Sequence, residues 1–183
     1  ELKETDFKEL FKEDLQKERQ YVRDVIIETD IEMLIPDDYI SNIQERLNLY
    51  TELDNIKKEE DLLAFERNME DRFGEIPRPV KELFEGLRLR WVCKQMGFER
   101  LLLKNQKLRC FFLSNPQSPF YETAFFQNMV QFISIHGQQR GFSFKKTTRH
   151  FILIKEGIKN LKDSRKELEV LLEDVDAMAK KTV

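Results

Sequence analysis

The stretch DRFGEIPRPVKELFEGLRLRWVCKQMG (71–97) decides how this chain folds. Leu62, Phe65, Met69 and Phe73 form an apolar stripe at helical spacing. Gly74 then stands where a left-handed cap stops a helix, and Pro77 where the next helix starts. Val80, Leu83, Phe84, Leu87 and Trp91 recur on one side of that next helix, which runs to Met96 and stops at Gly97. A second apolar set (Leu89, Val92, Cys93, Met96) widens its buried face, so it is expected to be the central helix.

Toward the N-terminus, Ile40, Ile43, Leu47, Tyr50 and Leu53 predict another helix with those residues on one side, ended by a break at Lys57 and Lys58. Glu59, Glu60 and Asp61 open the following helix, where its dipole favours negative charge. Upstream, Val25, Ile27, Thr29 and Ile31 alternate with Ile26, Glu28, Asp30 and Glu32, the pattern of a half-buried strand with an acidic open face. Pro36 ends it, and Asp37 and Asp38 suit a helix N-terminus. Residues 4–20 predict a linker helix: Asp6 and Glu9 are spaced as a capping box, and Phe7, Leu10, Phe11 and Leu15 form a narrow stripe suited to packing on something outside this chain.

Toward the C-terminus, strands are expected near 99–103 and 107–113, joined through Lys104, Asn105 and Gln106. Ser118 is placed to cap a helix that begins at Pro119 and runs through Phe125, Met129 and Phe132, with Gly137 and Gly141 bracketing the next turn. A second hairpin is expected over 142–146 and 149–154, with Thr147 and Thr148 at its bend. A long last helix carries Leu161, Leu168, Leu171, Leu172 and Val175. The expected class is α/β in the α+β sense: helix-rich, a small sheet of short hairpins packed with several helices. The expected organisation is a linker helix over 1–20 and one domain over 21–183.

Cys93 and Cys110 are too few for a disulfide framework and sit in apolar surroundings, which points to a reducing cytoplasm. No run of about 18 apolar residues occurs to span a membrane, and no signal-peptide core opens the chain, so no export is expected. Residues 1–76 hold 11 Lys and Arg against 23 Asp and Glu, whereas residues 77–183 hold 20 against 11. Fields of opposite sign on the two halves favour a polar partner surface.

Signatures of catalysis are missing: the six glycines form no phosphate loop, and no cysteine pair has zinc spacing. His136 and His150 lie in different elements with no carboxylate at metal-ligand spacing, and the carboxylate pairs stand on solvated helix faces. No catalytic residue, metal or cofactor is therefore assigned. The hairpins do carry Lys104, Lys107, Arg109, Lys145, Lys146 and Arg149 interleaved with Phe111, Phe112, Phe142 and Phe144. That is the composition of a nucleic-acid interface, with cations on phosphates and rings on bases, and it is also what a small sheet needs for its core and edges.

Three stretches, MLIPDDYI (33–40), ERLNLY (45–50) and MEDRFGEIP (69–77) running into VKELFEGLRLR (80–90), together resemble the C-terminal domain of bacterial transcription-repair coupling factors. The resemblance is close from about Ile26 to Leu103 and extends to element order beyond. Its structural motif residues here are Pro36, Asp37, Asp38, Arg72, Phe73, Gly74 and Pro77. It implies a parent that is an ATP-dependent DNA translocase acting on stalled RNA polymerase and recruiting nucleotide-excision repair. DNA contact would be made through other domains of the parent. This domain would be regulatory and without an ATPase site. It would dock on the parent's own N-terminal UvrB-like module and hide the surface that binds UvrA. The implied contact lies on the acidic helix before the DRFG turn: Asp71 matches the motif aspartate, Asn68 stands where an acid is expected one turn earlier, and Glu66 and Glu70 flank it as substitutes.

Overall fold

The computed structural model describes residues 21–181, so the linker helix expected over 4–20 lies outside the described residues. In chain order the elements are β1 (Ile26–Thr29), α1 (Ile43–Asp54), α2 (Glu59–Phe73), α3 (Arg78–Met96), β2 (Phe98–Lys104) and β3 (Lys107–Phe112). A 3-10 helix (Pro119–Glu122) precedes α4 (Ala124–Arg140), β4 (Phe142–Lys146), β5 (Phe151–Glu156) and α5 (Leu161–Lys181). One five-stranded sheet has the order β1-β2-β3-β5-β4, which makes this the expected helix-rich α+β fold. Both hairpins form as the sequence predicts. Asn105 and Gln106 both take positive φ (53° and 60°), the paired left-handed geometry of a tight two-residue hairpin turn.

Helix α3 is the centre. Val80, Phe84 and Leu87 in its first half pack with α1 and α2 residues such as Leu49, Leu53, Leu62, Phe65 and Met69. Leu89, Val92, Cys93 and Met96 in its second half join the other core, with Phe98, Leu101, Cys110 and Phe112 of the sheet and Leu161, Leu168 and Leu171 of α5. At about 100° per residue the two sets point to nearly opposite sides of the helix, so one helix serves two cores. Ion pairs tie the helices across it: Glu59 of α2 meets Arg88 of α3 at 2.7 Å, Arg88 meets Glu85 at 3.2 Å, and Arg165 of α5 holds both Glu85 (2.7 Å) and Glu169 (3.0 Å). Both cysteines are buried and free, and burial pushes their thiols up.

Several local expectations are corrected. Ile40 and Leu53 of the expected stripe are buried, but Ile43 and Leu47 are 66% and 54% exposed, because α1 starts at Ile43 under an Asn42 cap and turns Leu49 inward beside Leu53 instead. Leu49 and Leu53 are spaced four residues apart just as Ile43 and Leu47 are, so periodicity could not choose between them. The strand expected from Val25 to Ile31 shrinks to four residues; the Thr29 hydroxyl accepts from Ile31 N–H at 3.2 Å and turns the chain. It pairs parallel to β2, a geometry that needs a crossover, here supplied by α1, α2 and α3. Ser118 caps only the 3-10 helix, and Thr123 caps α4. Gly137 lies inside α4, where a Cβ would stand 2.8 Å from the Phe142 carbonyl oxygen, so the absent side chain lets β4 pass close by.

Gly97 takes φ 82° to end α3, and a Cβ on it would lie between 2.2 and 2.6 Å from carbons of the Phe120 ring. Gly97→Ala should therefore lower unfolding free energy by about 2–4 kcal/mol, combining a left-handed alanine with displacement of a core ring. Gly141 has φ 74° and open space around it, so Gly141→Ala should cost only about 1 kcal/mol; urea denaturation of both variants separates the two contributions. The Glu85–Arg165 pair is 14% and 17% exposed, and Glu85→Ala should cost about 2 kcal/mol by taking one of two carboxylate partners from each of the largely buried Arg88 and Arg165. Glu59 is 51% exposed, so Glu59→Ala should cost under about 1 kcal/mol in the same assay.

Candidate docking surface

The two motif segments that lie far apart in sequence meet at one place. Tyr39 donates its hydroxyl to the Gly74 carbonyl at 2.9 Å, and its ring meets the Phe73 ring edge-on at 6.1 Å. Burial, and then the nearby Glu70 carboxylate, push the Tyr39 phenol above its ordinary pKa. The Pro36 carbonyl accepts from the N–H groups of Tyr39 and Ile40, which fixes the PDDY turn. Arg46 reaches back from α1 to the Ile40 carbonyl at 2.6 Å, and Ile35 N–H donates to the Tyr50 hydroxyl at 2.7 Å. Pro36, Asp37, Asp38 and Pro77 thereby line a single recess of about 620 Å³ together with Arg46. Tyr39, Tyr50 and Arg46 lie inside or beside the quoted motifs, but only their long-range hydrogen bonds disclose their role.

The four candidate contact residues occupy the last two turns of α2 as two pairs. Glu66 and Glu70 stand one turn apart on one flank of the buried Leu62–Phe65–Met69 stripe, Asn68 stands on the opposite flank, and Asp71 faces outward. Asn68, Glu70 and Asp71 are exposed and Glu66 is half-buried. The flanking glutamates therefore do not share the side of Asn68 that they were expected to replace. Arg72 turns away to Glu45 of α1 at 2.6 Å, with its guanidinium 4.7 Å from the Phe73 ring centre. Among the described residues none of Glu66, Glu70 or Asp71 has an ion-pair partner. Glu70 and Asp71 thus stand unpaired in the last turn of a helix, where the dipole disfavours each by about 0.3–1 kcal/mol, and Glu66 stands unpaired one turn before Glu70. Glu59, at the favourable end, is paired, and its hydrogen bonds from Arg88 hold its carboxyl below the ordinary range.

The basic hairpin residues divide between the two faces of the sheet. Directly paired residues share a face. Arg100, Lys107, Arg109 and Lys145 therefore lie on the uncovered side, beside Phe111, Ile152 and Ile154. Phe112, Phe142 and Phe144 lie on the helix-covered side; Phe112 is fully buried and Phe142 nearly so. Phe111 is the ring on the open face, and it is 8% exposed beneath Arg100 (5.0 Å) and His150 (5.4 Å). Lys107 is paired with Glu156, and Arg100 with Glu28. Among the described residues no helix is long and apolar enough to cross a membrane, and no cluster of His, Cys, Asp or Glu side chains is arranged to hold a metal ion.

Comparison with known proteins agrees with this geometry. The transcription-repair-coupling factor of Escherichia coli K12 is 32% identical over 78 residues, covering 40% of this chain and 7% of that protein. That of Mycobacterium tuberculosis is 31% identical over 75 residues, covering 41% and 6%. That of Rickettsia typhi is 26% identical over 103 residues, covering 51% and 9%. The chain thus matches less than a tenth of the length of these relatives. A crystal structure of the C-terminal domain of a transcription-repair coupling factor has the same fold, with a TM-score of 0.60 at 18% identity over 87% of this chain and 97% of that one. The TRCF domain model matches residues 29–123, a stretch that runs from the end of β1 through both motif segments to the cap of α4, and the chain belongs to the TRCF domain family.

Proposed function

We propose that this chain is the regulatory C-terminal domain of a transcription-repair coupling factor and acts as an intramolecular gate. Its acidic α2 end docks on the parent's N-terminal UvrB-like module and masks the surface that binds UvrA. Engagement of RNA polymerase by the parent releases the contact. The chain itself performs no catalysis; ATP-driven DNA translocation belongs to other domains of a cytoplasmic parent.

The observation that carries this reading is the group of unpaired acids on α2, of which Glu70 and Asp71 stand at the wrong end of a helix for their charge and Glu66 one turn before. Folding gains nothing from them there, so a partner's cations are their natural counterpart. The Tyr39 clasp, which locks the PDDY turn to the DRFG turn, holds that helix end in one orientation. A polar contact also suits a switch: it can be specific yet separable, and couplings of about 1–3 kcal/mol are typical between such sites. The competing reading, a nucleic-acid module on the basic hairpins, has less support because three of its four rings, Phe111, Phe112 and Phe142, are buried and one of its cations, Lys107, is already paired.

Reversal of the three acids to lysine is the direct test. The triple variant should be as stable as the natural domain or more so, because lysine suits a helix C-terminus. In the full-length parent the same change should raise UvrA affinity by about 5–150-fold if the coupling lies in the usual range. Calorimetric titration of the domain with the N-terminal module, at low and physiological salt, should show saturable binding weakened by salt and by the reversal. Unchanged UvrA affinity in a folded triple variant would remove these residues from the gate.

A further inference from the structure

The sheet has two edges, and their chemistry differs. β4 forms one edge and carries Lys145 and Lys146, charges of the kind that keep an edge from pairing with another chain. β1 forms the other and reads IIET, with neither lysine nor proline. It is hydrogen-bonded to β2 alone, in parallel register. A parallel ladder engages the N–H and C=O groups of alternate residues, so two of the four residues of β1 turn both groups outward. Among the described residues no hydrogen bond meets these outward groups.

Apolar surface surrounds this edge. On the helix side a groove of about 240 Å³ runs beside it, lined by Val25, Ile27 and Met33 and by Tyr50, Leu83 and Leu87 of the helices. The Tyr50 hydroxyl accepts from Ile35 N–H, which brings Leu34 to the same place. Leu47 and Ile43 stand one and two turns before Tyr50 on the same side of α1. Seven large apolar residues are exposed among the described residues, and four of them, Ile26, Leu34, Ile43 and Leu47, lie around β1 and Tyr50. Exposed apolar residues scattered singly are ordinary; four gathered at an unpaired edge mark a partner site.

The charge around the edge selects the partner. Residues 21–32 hold four acids, Asp24, Glu28, Asp30 and Glu32, against the single cation Arg23. Arg100 holds Glu28, but Asp30 and Glu32 have no ion-pair partner among the described residues. The open side of the edge thus offers Ile26 and Glu28, with Asp30 next along the chain. Side chains of an added strand alternate between the two faces. Apolar residues suit the groove side, and lysine or arginine suits the acidic side.

We propose that the outer edge of β1 receives an extended segment of another protein, apolar residues alternating with basic ones, as a sixth strand of the sheet. Backbone hydrogen bonds supply the affinity, and the groove selects the side chains. The site is built from β1, α1 and α3, apart from the acidic end of α2, and the inference stands independently of the gate.

Amide hydrogen exchange of the whole chain, read by NMR at β1, is the test. In the chain alone, two alternate β1 amides should exchange about 100-fold or more faster than the two bonded to β2. An octapeptide alternating valine and lysine is the probe. At roughly millimolar concentration it should slow the fast pair about tenfold and shift the Ile27 and Met33 methyl signals. The same peptide methylated on every backbone nitrogen should have no effect, and glutamate in place of lysine should weaken binding about tenfold. Gly86 also lines the groove, and a Cβ there meets only the flexible Met33 side chain, 3.0 Å from its sulfur. Gly86→Ala therefore narrows the groove in a folded domain and should weaken the peptide about fivefold. The α3 amides report that the fold is intact. Slow exchange of all four β1 amides in the chain alone would overturn the proposal, since the edge is then filled from within, or by a second copy if the slowing grows with protein concentration. So would a peptide effect that is absent, that survives backbone methylation, that the glutamate peptide matches, or that Gly86→Ala leaves unchanged.

Discussion

Helix α3 is buried on nearly opposite sides along its length, and that constraint arranges the rest of the molecule. Its first half gives Val80, Phe84 and Leu87 to the layer of α1 and α2, and its second half gives Leu89, Cys93 and Met96 to the sheet and α5. A helix with a single stripe would leave one of these layers without a partner. With two stripes the chain can place a helical layer and a sheet layer back to back on one rod. The left-handed Gly97 then ends the rod against the Phe120 ring, and the strands begin.

Polar contacts follow the same division. Glu59, Arg88, Glu85, Arg165 and Glu169 run as one chain of ion pairs from α2 through α3 to α5. Burial would penalise each charge alone, but each has an opposite neighbour, and the hydrogen bonds that Arg165 donates to Glu85 and Glu169 hold its guanidinium charged. At the sheet end, Lys155 donates to the Arg140 carbonyl at the C-terminus of α4 and pairs with Glu167, so a cation sits where the helix dipole favours it. The unpaired Glu70 and Asp71 in the last turn of α2 run against their dipole, as does Glu52 in the last turn of α1. Local rules broken without a local gain are characteristic of surfaces kept for a partner.

Charge is thus separated in space as well as in sequence. The helical layer of α1 and α2 belongs to the acidic part of the chain, and strands β2 to β5 belong to the basic part. The two lie in different layers, and α3 is the rigid element between them.

The sequence by itself determined the helix-rich α+β class, the two hairpins, the central helix and the DRFG junction. Each of these is written in nearest-neighbour chemistry: apolar periodicity, Gly97 at a left-handed cap, and Gly74 at a positive φ just before the Pro77 cap, although Gly74 is extended in ψ rather than left-handed helical and the helix starts at Arg78. It also disclosed the family, through motif segments whose spacing survives at low identity. Tertiary structure decided what periodicity leaves degenerate. Ile43 and Leu47 of the expected stripe gave way to Leu49, which packs beside the expected Leu53, because both sets have helical spacing and only the packing partner chooses. The parallel pairing of β1 with β2 was hidden because it joins residues more than 70 positions apart. The Tyr39–Gly74 clasp and the split of the basic residues between two faces were hidden for the same reason: contacts between distant segments depend on where the chain has been carried, not on the residues beside them.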